Sequence, residues 1–416
     1  MHGALKIALC GLDDLNLGDE VIFKSTRWLL GGIMAELGLK DFEIVRVDLM
    51  HDLRDGAAVR KSGVRLQQRR LADMTTDLVS RFPSLRLLVH SAACPVLRWK
   101  WRHSSSGRSF VANELCKLHG ADLIVFAGGG LVKFHRQNFY SPIDDVTRFA
   151  KKNRIPVLFN AVGVEGYDIA NPKCTILKQA LRRDCVRMVT TRDDAETLKR
   201  EYGLAPQIPV SMVGDPALWV PEVYNVAWQG EKSGVIGLNA IRPAIFGGYG
   251  EPINPEELLG LYRGLVRLCL KNGFKVQVFT NGALADNDFA RSIIGSCEDL
   301  KGNPQVSICL PTTDSELISA ISGYERFLAA RLHASIIGTS MGIPNASLVW
   351  NRKQRFFGAA MGTGENYLER GDFNPETVFA TLMAARGCAT CAESKKSTYE
   401  LLRRGVAKSI GAGEDV

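Results

Sequence analysis

The sequence predicts an α/β protein with two doubly wound, Rossmann-like domains, and three observations support this. Buried-strand patterns alternate with helical patterns along most of the chain, as in parallel sheets with helical crossovers. The chain has 416 residues, which is enough for two domains. Polar residues and glycines follow several predicted strands, and ligands bind at the carboxyl ends of strands in such sheets. We therefore expect two sheets whose strand ends face a shared cleft.

The first half of the chain begins as a βαβ unit. Residues 5–10 form an apolar run typical of a buried strand, a helical pattern starts at Glu20, and residues 42–49 alternate as a second strand. Further strands are predicted at 122–127, 155–164 and 186–189, and helices at 174–183 and 195–202. We expect residues 1–222 to form the N-terminal domain, with a basic insert near 52–109.

The second half repeats this alternation after a polar, proline-containing link at residues 221–232. Strands are predicted at 235–238, 275–279, 305–309, 325–329 and 345–350, and helices at 255–271, 286–296, 313–322 and 333–341. We expect a C-terminal domain at 233–358 and a helical tail at 359–416. The tail has helical patterns at 375–386 and 397–408 and is expected to return to the N-terminal domain.

Composition narrows the classes of protein to which this chain can belong. Hydrophobic residues make up 46% and charged residues 23% of the chain, as in an ordinary folded protein. No apolar run is long enough for a transmembrane helix, and the N-terminus lacks the features of a signal peptide. We therefore expect a cytoplasmic protein. The ten cysteines are too few for a disulfide scaffold in a chain of this length.

The net charge of +8 comes from one segment of the chain. Between Arg54 and Arg108 there are twelve Lys or Arg and only three Asp, so the rest of the chain is close to neutral. This argues against general nucleic-acid binding and for one basic face. Residues 97–108 interleave cations with two tryptophans. They predict either a solvated, mobile loop or a docking segment for the inner face of an anionic membrane or for a phosphorylated, lipid-linked substrate.

Arg331 and His333 form the most informative local motif. An apolar run at 327–330 predicts a buried strand, and a helical pattern follows His333 and closes at Gly342. A guanidinium, an imidazole and a helix N-terminus at one point make a pocket for a multiply charged anion. The alternative is a surface arginine beside a helix-capping histidine.

Other predicted strand ends also carry polar residues or glycines, and we expect these residues to line the cleft. They are Asn16, Asp19, Gly128, Gly129, Gly130, Thr191, Arg192, Asn239, Arg242 and Asn281. Glycines at such an end allow a ligand to approach the backbone closely. The pair Cys388 and Cys391 does not complete a four-ligand zinc site, and no metal is expected.

The order of these motifs resembles the polysaccharide pyruvyl transferase family. The resemblance covers about residues 7–358, whereas 52–109 matches nothing specific and the tail matches only as helix. The matching segments are Asn16-Leu17-Gly18-Asp19, the strand and glycines at 122–130, Val162-Gly163-Val164, Thr191-Arg192-Asp193, Asp215-Pro216-Ala217, Gly237-Leu238-Asn239, Arg331-Leu332-His333 through Gly342-Ile343-Pro344, and Asn351-Arg352-Lys353 followed by Phe356-Phe357-Gly358.

This resemblance implies the two-domain glycosyltransferase B architecture and a specific reaction. The enolpyruvyl group of phosphoenolpyruvate is transferred onto two hydroxyls of a sugar as a cyclic ketal, and phosphate is released. The acceptor is a saccharide of a bacterial exopolysaccharide, a cell-wall polymer or a lipid-linked precursor. Phosphoenolpyruvate is the donor substrate, and no cofactor or metal is implied.

Arginines are the expected ligands of this donor. Phosphoenolpyruvate carries about three negative charges at pH 7, from a phosphate and a carboxylate, and the guanidinium of Arg can bind either group through two N–H donors. We assign donor binding to Arg331 first, then to Arg192 and Arg242, with His333 as an additional ligand. For Arg192, pairing with a helix-capping aspartate is an equally good alternative.

The chemistry also requires an acid and a base. His333 is predicted either to protonate the methylene carbon as a general acid or to bind the departing phosphate, and the sequence does not separate these roles. Asp19 is predicted to take the proton of the attacking sugar hydroxyl. Asp122 is a weaker candidate because it begins its predicted strand.

Two other functions stay open. A nucleotide-sugar-dependent glycosyltransferase of the same architecture needs a ribose-binding acid late in the second domain, where Glu365 and Glu369 are present without the expected pairing. A non-catalytic phosphosugar-binding protein would use the basic tryptophan segment. Phosphate release that depends on phosphoenolpyruvate separates the first function from both.

Overall fold

A computed structural model describes residues 4–12, 16–50, 83–134, 137–204, 206, 208–250, 252–388 and 390–412. Much of the basic insert predicted near 52–109 lies outside the described residues, which resume at 83.

The first sheet has seven parallel strands among these residues. They are β1 (Leu5–Gly11), β2 (Phe42–Asp48), β3 (Leu123–Phe126), β4 (Gly129–Val132), β5 (Val157–Val164), β6 (Val186–Thr191) and β7 (Val210–Met212). Their order is β2-β1-β3-β5-β6-β7, and β4 pairs with β5. Every position of β3 and of β5 is buried. This continuous burial is typical of a parallel sheet that is covered on both faces.

The helices of the first half connect these strands. They are α1 (Leu17–Glu36), α2 (Pro83–His103), α3 (Ser105–Asn113), α4 (Tyr140–Asn153), α5 (Pro172–Leu181) and α6 (Ala195–Arg200). Local signals set their starts. Asn171 caps α5 and is followed by Pro172 at the first helical position, and Asp194 caps α6 by accepting the N–H of Thr197 at 3.0 Å.

The second sheet has six parallel strands. They are β8 (Val235–Asn239), β9 (Lys275–Phe279), β10 (Val306–Cys309), β11 (Arg326–Ala329), β12 (Asn345–Leu348) and β13 (Tyr367–Leu368). Their order is β10-β9-β8-β11-β12-β13. Numbered from β8, this is the order 3-2-1-4-5-6 of Rossmann sheets.

The helices of the second half cover this sheet and continue to the end of the described chain. They are α7 (Val220–Tyr224), α8 (Ala244–Gly247), α9 (Pro255–Lys271), α10 (Leu284–Gly295), α11 (Asp314–Ser322), α12 (Leu332–Ser340), α13 (Arg352–Ala360), α14 (Pro375–Ala384) and α15 (Cys391–Ile410). Among the described residues, no helix is both long enough and apolar enough to span a membrane.

The chain divides into two compact units. The first holds the described residues of Met1–Asp13, Met34–Met212 and Arg404–Val416, and the second holds those of Asp14–Ile33 and Val213–Arg403. This division differs from the predicted one because most of α1 belongs to the second unit, where Lys24 donates to Asp314 at 2.7 Å. The end of α15 belongs to the first unit, where Gly405 lies against Met188.

The predicted elements are present, with one correction. The strand at Lys275–Phe279 and the helix at Pro255–Lys271 have the predicted bounds, and the other predicted strands and helices shift by a few residues at their ends. Residues 97–108 are not a loop, because 97–103 end α2, Ser104 caps α3, and 105–108 begin α3. Their cations and tryptophans recur with helical spacing, and one face pairs with buried carboxylates of α4.

Candidate functional site

The second sheet has its topological switch point between β8 and β11. The strand order reverses there, and in such sheets ligands bind outside the carboxyl ends of the strands at this point. Asn239 ends β8, and Arg331 and His333 follow the end of β11 by two and four residues. The fold therefore brings these three predicted residues together at a ligand-binding position.

Asn239 holds the backbone that leads from β11 into α12. Its Oδ1 accepts the N–H groups of Ala330 and Arg331 at 3.2 and 2.8 Å, and its Nδ2 donates to Oδ1 of Asn281 at 3.0 Å. Asn239 and Asn281 are 0% and 1% exposed. Both side chains, predicted to line a cleft, are thus buried and order the backbone at this edge.

Asp286 is a buried carboxylate that holds two arginines at this edge. Its Oδ2 accepts Nε of Arg331 at 2.9 Å, and Nη2 of Arg331 donates to the same oxygen. Its Oδ1 accepts the backbone N–H and Nη1 of Arg242 at 3.1 and 3.3 Å. Two guanidiniums on one carboxylate leave a net positive charge at the switch point.

Both guanidiniums keep N–H groups available for a ligand. Nη1 of Arg331, and Nε and Nη2 of Arg242, have no hydrogen-bond partner within the described part of the chain. The Arg331 side chain is 15% exposed and the Arg242 side chain 34% exposed. Planar charged donors of this kind bind carboxylates and phosphates strongly.

His333 lies in the first turn of α12 and contacts Asn16, which precedes α1. Oδ1 of Asn16 accepts the N–H of Gly18 at 3.3 Å, which leaves Nδ2 of Asn16 toward Nδ1 of His333 at 3.4 Å. An amide NH2 group only donates. Nδ1 of His333 can accept from this amide in the tautomer that carries the proton on Nε2.

The start of α1 is packed closely against this histidine. A Cβ on Gly18 would lie 2.1 Å from Nδ1 and 2.3 Å from Cβ of His333. The N–H of Leu17 donates to the carbonyl of Asn281 at 3.1 Å, and the N–H of Asp19 donates to the carbonyl of Asn16 at 3.0 Å. The motif at 16–19 thus joins the switch point of the second unit, and the role of Asp19 as a base stays a prediction.

The remaining predicted site residues belong to the first unit. Gly128 and Gly129 have φ of +99° and +78°, which favours glycine, and Gly129 and Gly130 begin β4. Arg192 follows β6 and is buried. A Cβ on Gly163 would lie 3.2 Å from its Nη2, so the guanidinium packs against the backbone of β5.

Asp193 is a buried carboxylate beside Arg192, and Asp194 caps α6. Burial raises the pKa of Asp193, and the neighbouring Arg192 charge opposes that shift. Oδ1 of Asp193 accepts the N–H of Val164 at 2.7 Å and the hydroxyl of Thr191 at 2.9 Å. Arg192 therefore lies in a buried structural network, and its role in donor binding stays a prediction.

Sequence reasoning missed two residues of this site. Asp286 was assigned only as the start of a helix, because a carboxylate in a first helical turn is common. Gly18 was noted only as part of a motif. The signal available for Asp286 was its position shortly after the end of β9, at the same sheet edge as Arg242 and Arg331.

Solved structures with a similar fold cover nearly the whole chain. UDP-GlcNAc 2-epimerase from Methanocaldococcus jannaschii is 13% identical, with a TM-score of 0.51 over 96% of this chain and 98% of the other. The S. aureus MnaA–UDP complex is 14% identical, with a TM-score of 0.50 over 96% and 97%. UDP-GlcNAc 2-epimerase from Neisseria meningitidis bound to UDP-GlcNAc is 12% identical, with a TM-score of 0.50 over 97% and 99%. At these identities the similarity supports the glycosyltransferase B-like fold class alone.

The sequence itself matches one family over most of its length. No curated protein matches the chain significantly. The model of the polysaccharide pyruvyl transferase family matches residues 16–352, a span that includes the motif at 16–19, Asp286 and the Arg331–His333 pair. The chain therefore belongs to the polysaccharide pyruvyl transferase family and is a transferase of polysaccharide biosynthesis.

Proposed function

We propose that this enzyme transfers the enolpyruvyl group of phosphoenolpyruvate to two hydroxyls of a sugar, forming a cyclic ketal and releasing phosphate. One observation supports the donor most strongly. Asp286 holds Arg331 and Arg242 side by side, with free N–H groups, at the switch point that also carries His333. Two adjacent guanidiniums suit a ligand that carries a carboxylate and a phosphate on the same carbon.

Each charged group of the donor is assigned to one arginine. Arg331 is the more buried guanidinium and takes the phosphate together with the first turn of α12, where helix N–H groups favour anions. Arg242 is more exposed and takes the carboxylate. The net charge of Arg331, Arg242 and Asp286 is +1, so the helix N–H groups at the start of α12 contribute to the binding of a trianion.

His333 lies in the first turn of α12 and follows Arg331 by two residues. We assign it one of two roles, either protonating the methylene carbon as a general acid or binding the departing phosphate and stabilising its negative charge. The contact between Nδ2 of Asn16 and Nδ1 of His333 orients the ring for either role.

The atoms balance in two stages. A sugar hydroxyl attacks the central carbon of the donor and loses its proton to a base, for which Asp19 is our candidate, while the methylene carbon gains a proton from an acid, for which His333 is our candidate, and becomes a methyl group. Phosphate then leaves, a second hydroxyl attacks the same carbon and closes the ketal, and the phosphate takes up the proton of this second hydroxyl. The reaction involves no net oxidation or reduction, so the proposed function needs no redox cofactor. The acceptor is a saccharide, either polymeric or lipid-linked.

The test is a thermal-shift titration with phosphoenolpyruvate, UDP and GDP, on the wild type and on His333→Ala and Arg331→Ala. A ligand that binds only the folded state stabilises it by about 2.7 kcal/mol at 100 times its Kd. We expect a raised midpoint with phosphoenolpyruvate alone and a weaker shift in both variants. Phosphate release from phosphoenolpyruvate plus an acceptor should fall by more than about 100-fold in His333→Ala.

The matched control is His119→Ala, which removes an exposed histidine of the first unit. It should retain both the shift and the turnover. A shift with UDP or GDP instead would favour the nucleotide-sugar glycosyltransferase alternative. Unchanged turnover in His333→Ala would overturn the assignment of the histidine.

A further inference from the structure

The described side chains of α2 anchor the helix to buried carboxylates of the first unit. Nε of Arg98 donates to Oδ2 of Asp144 at 2.9 Å, and Nε1 of Trp101 donates to Oδ2 of Asp145 at 2.7 Å. Both carboxylates are buried and belong to α4. The first tryptophan of the basic segment, Trp99, points the other way and is 61% exposed.

The outward face of α2 and α3 combines exposed apolar and cationic side chains. Among the described residues, eight large hydrophobic side chains are exposed, and three of them, Val96, Trp99 and Val111, lie on α2 and α3. Trp99 stacks on His103 with ring centroids 4.5 Å apart. Nη1 of Arg108 donates to the carbonyl of His103 at 2.7 Å. The exposed indole and Arg108 are therefore parts of one surface.

A cavity of about 520 Å³ opens on this surface and has a cationic rim. Its four cationic residues lie on three helices: Arg102 on α2, Arg108 on α3, and Arg148 and Lys152 on α4. Its floor includes Val111, Leu115 and Phe149. One carboxylate, Asp145, also lines it, so four positive charges face one negative charge.

Protein carboxylates neutralise this rim only in part. Arg148 donates to Asp144 at 2.9 Å, and Arg102 lies 3.8 Å from Asp145. Arg108 and Lys152 have no carboxylate within 4.0 Å in the described part of the chain. The cavity thus presents a net positive rim around apolar side chains.

This combination matches the surface of an anionic bilayer better than a free anion. A free anion needs the cations but not the apolar floor or the exposed indole. Tryptophan and cations together are typical of segments that lie at the interface of a membrane with anionic lipid. The stretch between Arg54 and Arg108, which ends on this surface, has twelve Lys or Arg against three Asp.

We propose that the face formed by Trp99, Arg102, Arg108, Val111 and Lys152 docks on the surface of an anionic phospholipid bilayer, with a lipid phosphate over the cationic rim. Trp99 and Val111 lie at the level of the headgroups. The surface uses none of the residues assigned to the candidate site. Its test is therefore independent of the proposed reaction.

Co-sedimentation with vesicles tests this proposal. The vesicles are made of phosphatidylcholine alone or of phosphatidylcholine with phosphatidylglycerol. We expect binding only to the anionic vesicles, and weaker binding as salt is added. Arg108→Ala with Lys152→Ala should reduce the partition coefficient about 30-fold, because each cation near an anionic surface contributes about 1 kcal/mol, or about fivefold. Trp99→Ala should also weaken binding.

The matched control is Lys271→Ala with Lys301→Ala, which removes the same charge from exposed positions of the second unit. It should bind as the wild type does, and thermal midpoints will confirm that all variants are folded. Equal binding to neutral vesicles, no binding to either, or equal losses in both double variants would overturn the proposal. Full competition by inorganic phosphate at constant ionic strength would show a free-anion site and would also overturn it.

Discussion

Two buried carboxylates, Asp286 and Asp144, hold arginines in similar local geometry but in different places of the fold. Asp286 accepts from Arg331 and Arg242 in the second unit. Asp144 accepts from Arg98 and Arg148 at 2.9 Å each, and also from Arg183, in the first unit. The side chains of the two aspartates are 0% and 3% exposed.

Their surroundings distinguish the two clusters. Asp144 lies in α4, and its partners come from α2, from α4 itself and from the turn after α5, so the cluster joins helices of the outer layer. Asp286 lies at the carboxyl edge of a parallel sheet, beside the switch point and near His333. Carboxylate–guanidinium geometry alone therefore does not identify a ligand site. The position of Asp286 at the carboxyl edge of the sheet distinguishes its cluster, as a candidate site, from the Asp144 cluster.

The largest expected effect is on stability, in Asp144→Asn. Burial raises the pKa of Asp144, but the Arg98 and Arg183 interactions outweigh burial and hold the pKa below its ordinary value. Removing one partner of a buried ion pair destabilises by about 3 kcal/mol or more. Because the folded pKa is lowered, this stability is present above the unfolded pKa of about 3.9 and is lost as pH falls through the folded value. Urea unfolding at pH values from 7 to 3 should therefore show that the free energy of unfolding of the variant is lower than that of the wild type, and that this difference shrinks below about pH 4.

The matched control is Asp145→Asn, because the pKa of the neighbouring Asp145 is shifted in the opposite direction. Burial raises the pKa of Asp145, which the Trp101 hydrogen bond only partly offsets. The carboxylate therefore destabilises the fold at neutral pH, and this penalty disappears as pH falls below the unfolded pKa. Asp145→Asn should be as stable as the wild type or more stable at pH 7. A large loss in this variant would contradict the interpretation of the α4 cluster.

The next effect is on donor binding and separates the two clusters directly. Arg331→Ala should lower kcat/KM for phosphoenolpyruvate by about 100-fold, since loss of a buried charged partner costs about 3 kcal/mol. Arg98→Ala should lower the urea midpoint and change kcat/KM by less than about twofold, a limit well below the tenfold that 1.4 kcal/mol represents. Phosphate release measures kcat/KM, and urea unfolding measures the stability of each variant. Equal kinetic losses in both variants would mean that the two clusters do not differ in function.

The smallest effect is expected at Gly18, with Gly31 of the same helix as control. In Gly18→Ala the new Cβ would overlap His333, so we expect a loss of about 1–3 kcal/mol from overpacking and a fall in turnover as the imidazole moves. Gly31 has no neighbour within 4 Å of its Cβ position. Gly31→Ala should stabilise α1 by about 0.5–1 kcal/mol with unchanged turnover. Unchanged turnover in Gly18→Ala would show that the first turn of α1 is not part of the site.

Local signals were sufficient for many of the elements and for part of the site. Arg331 and His333 were predicted from an apolar run followed by a helical pattern, and the structure places them between β11 and α12. The helix predicted at 255–271 has these bounds in the structure, where Asn254 caps α9 and Pro255 opens it, because caps and proline act within a few residues. The helical state of residues 97–108 was missed. Its partners, Asp144 and Asp145, are 46 and 44 residues away from Arg98 and Trp101.

The sequence by itself determined the two α/β units, the family and the residues at the strand ends, because periodicity, caps and motif order are properties of neighbouring residues. Only the tertiary structure decided that most of α1 belongs to the second unit, that Asp286 joins Arg242 and Arg331, and that Asn16 faces His333. The physical reason is separation along the chain. Asp286 lies 44 and 45 residues from its arginines and Asn16 lies 317 residues from His333, so these contacts exist only after the sheets have formed.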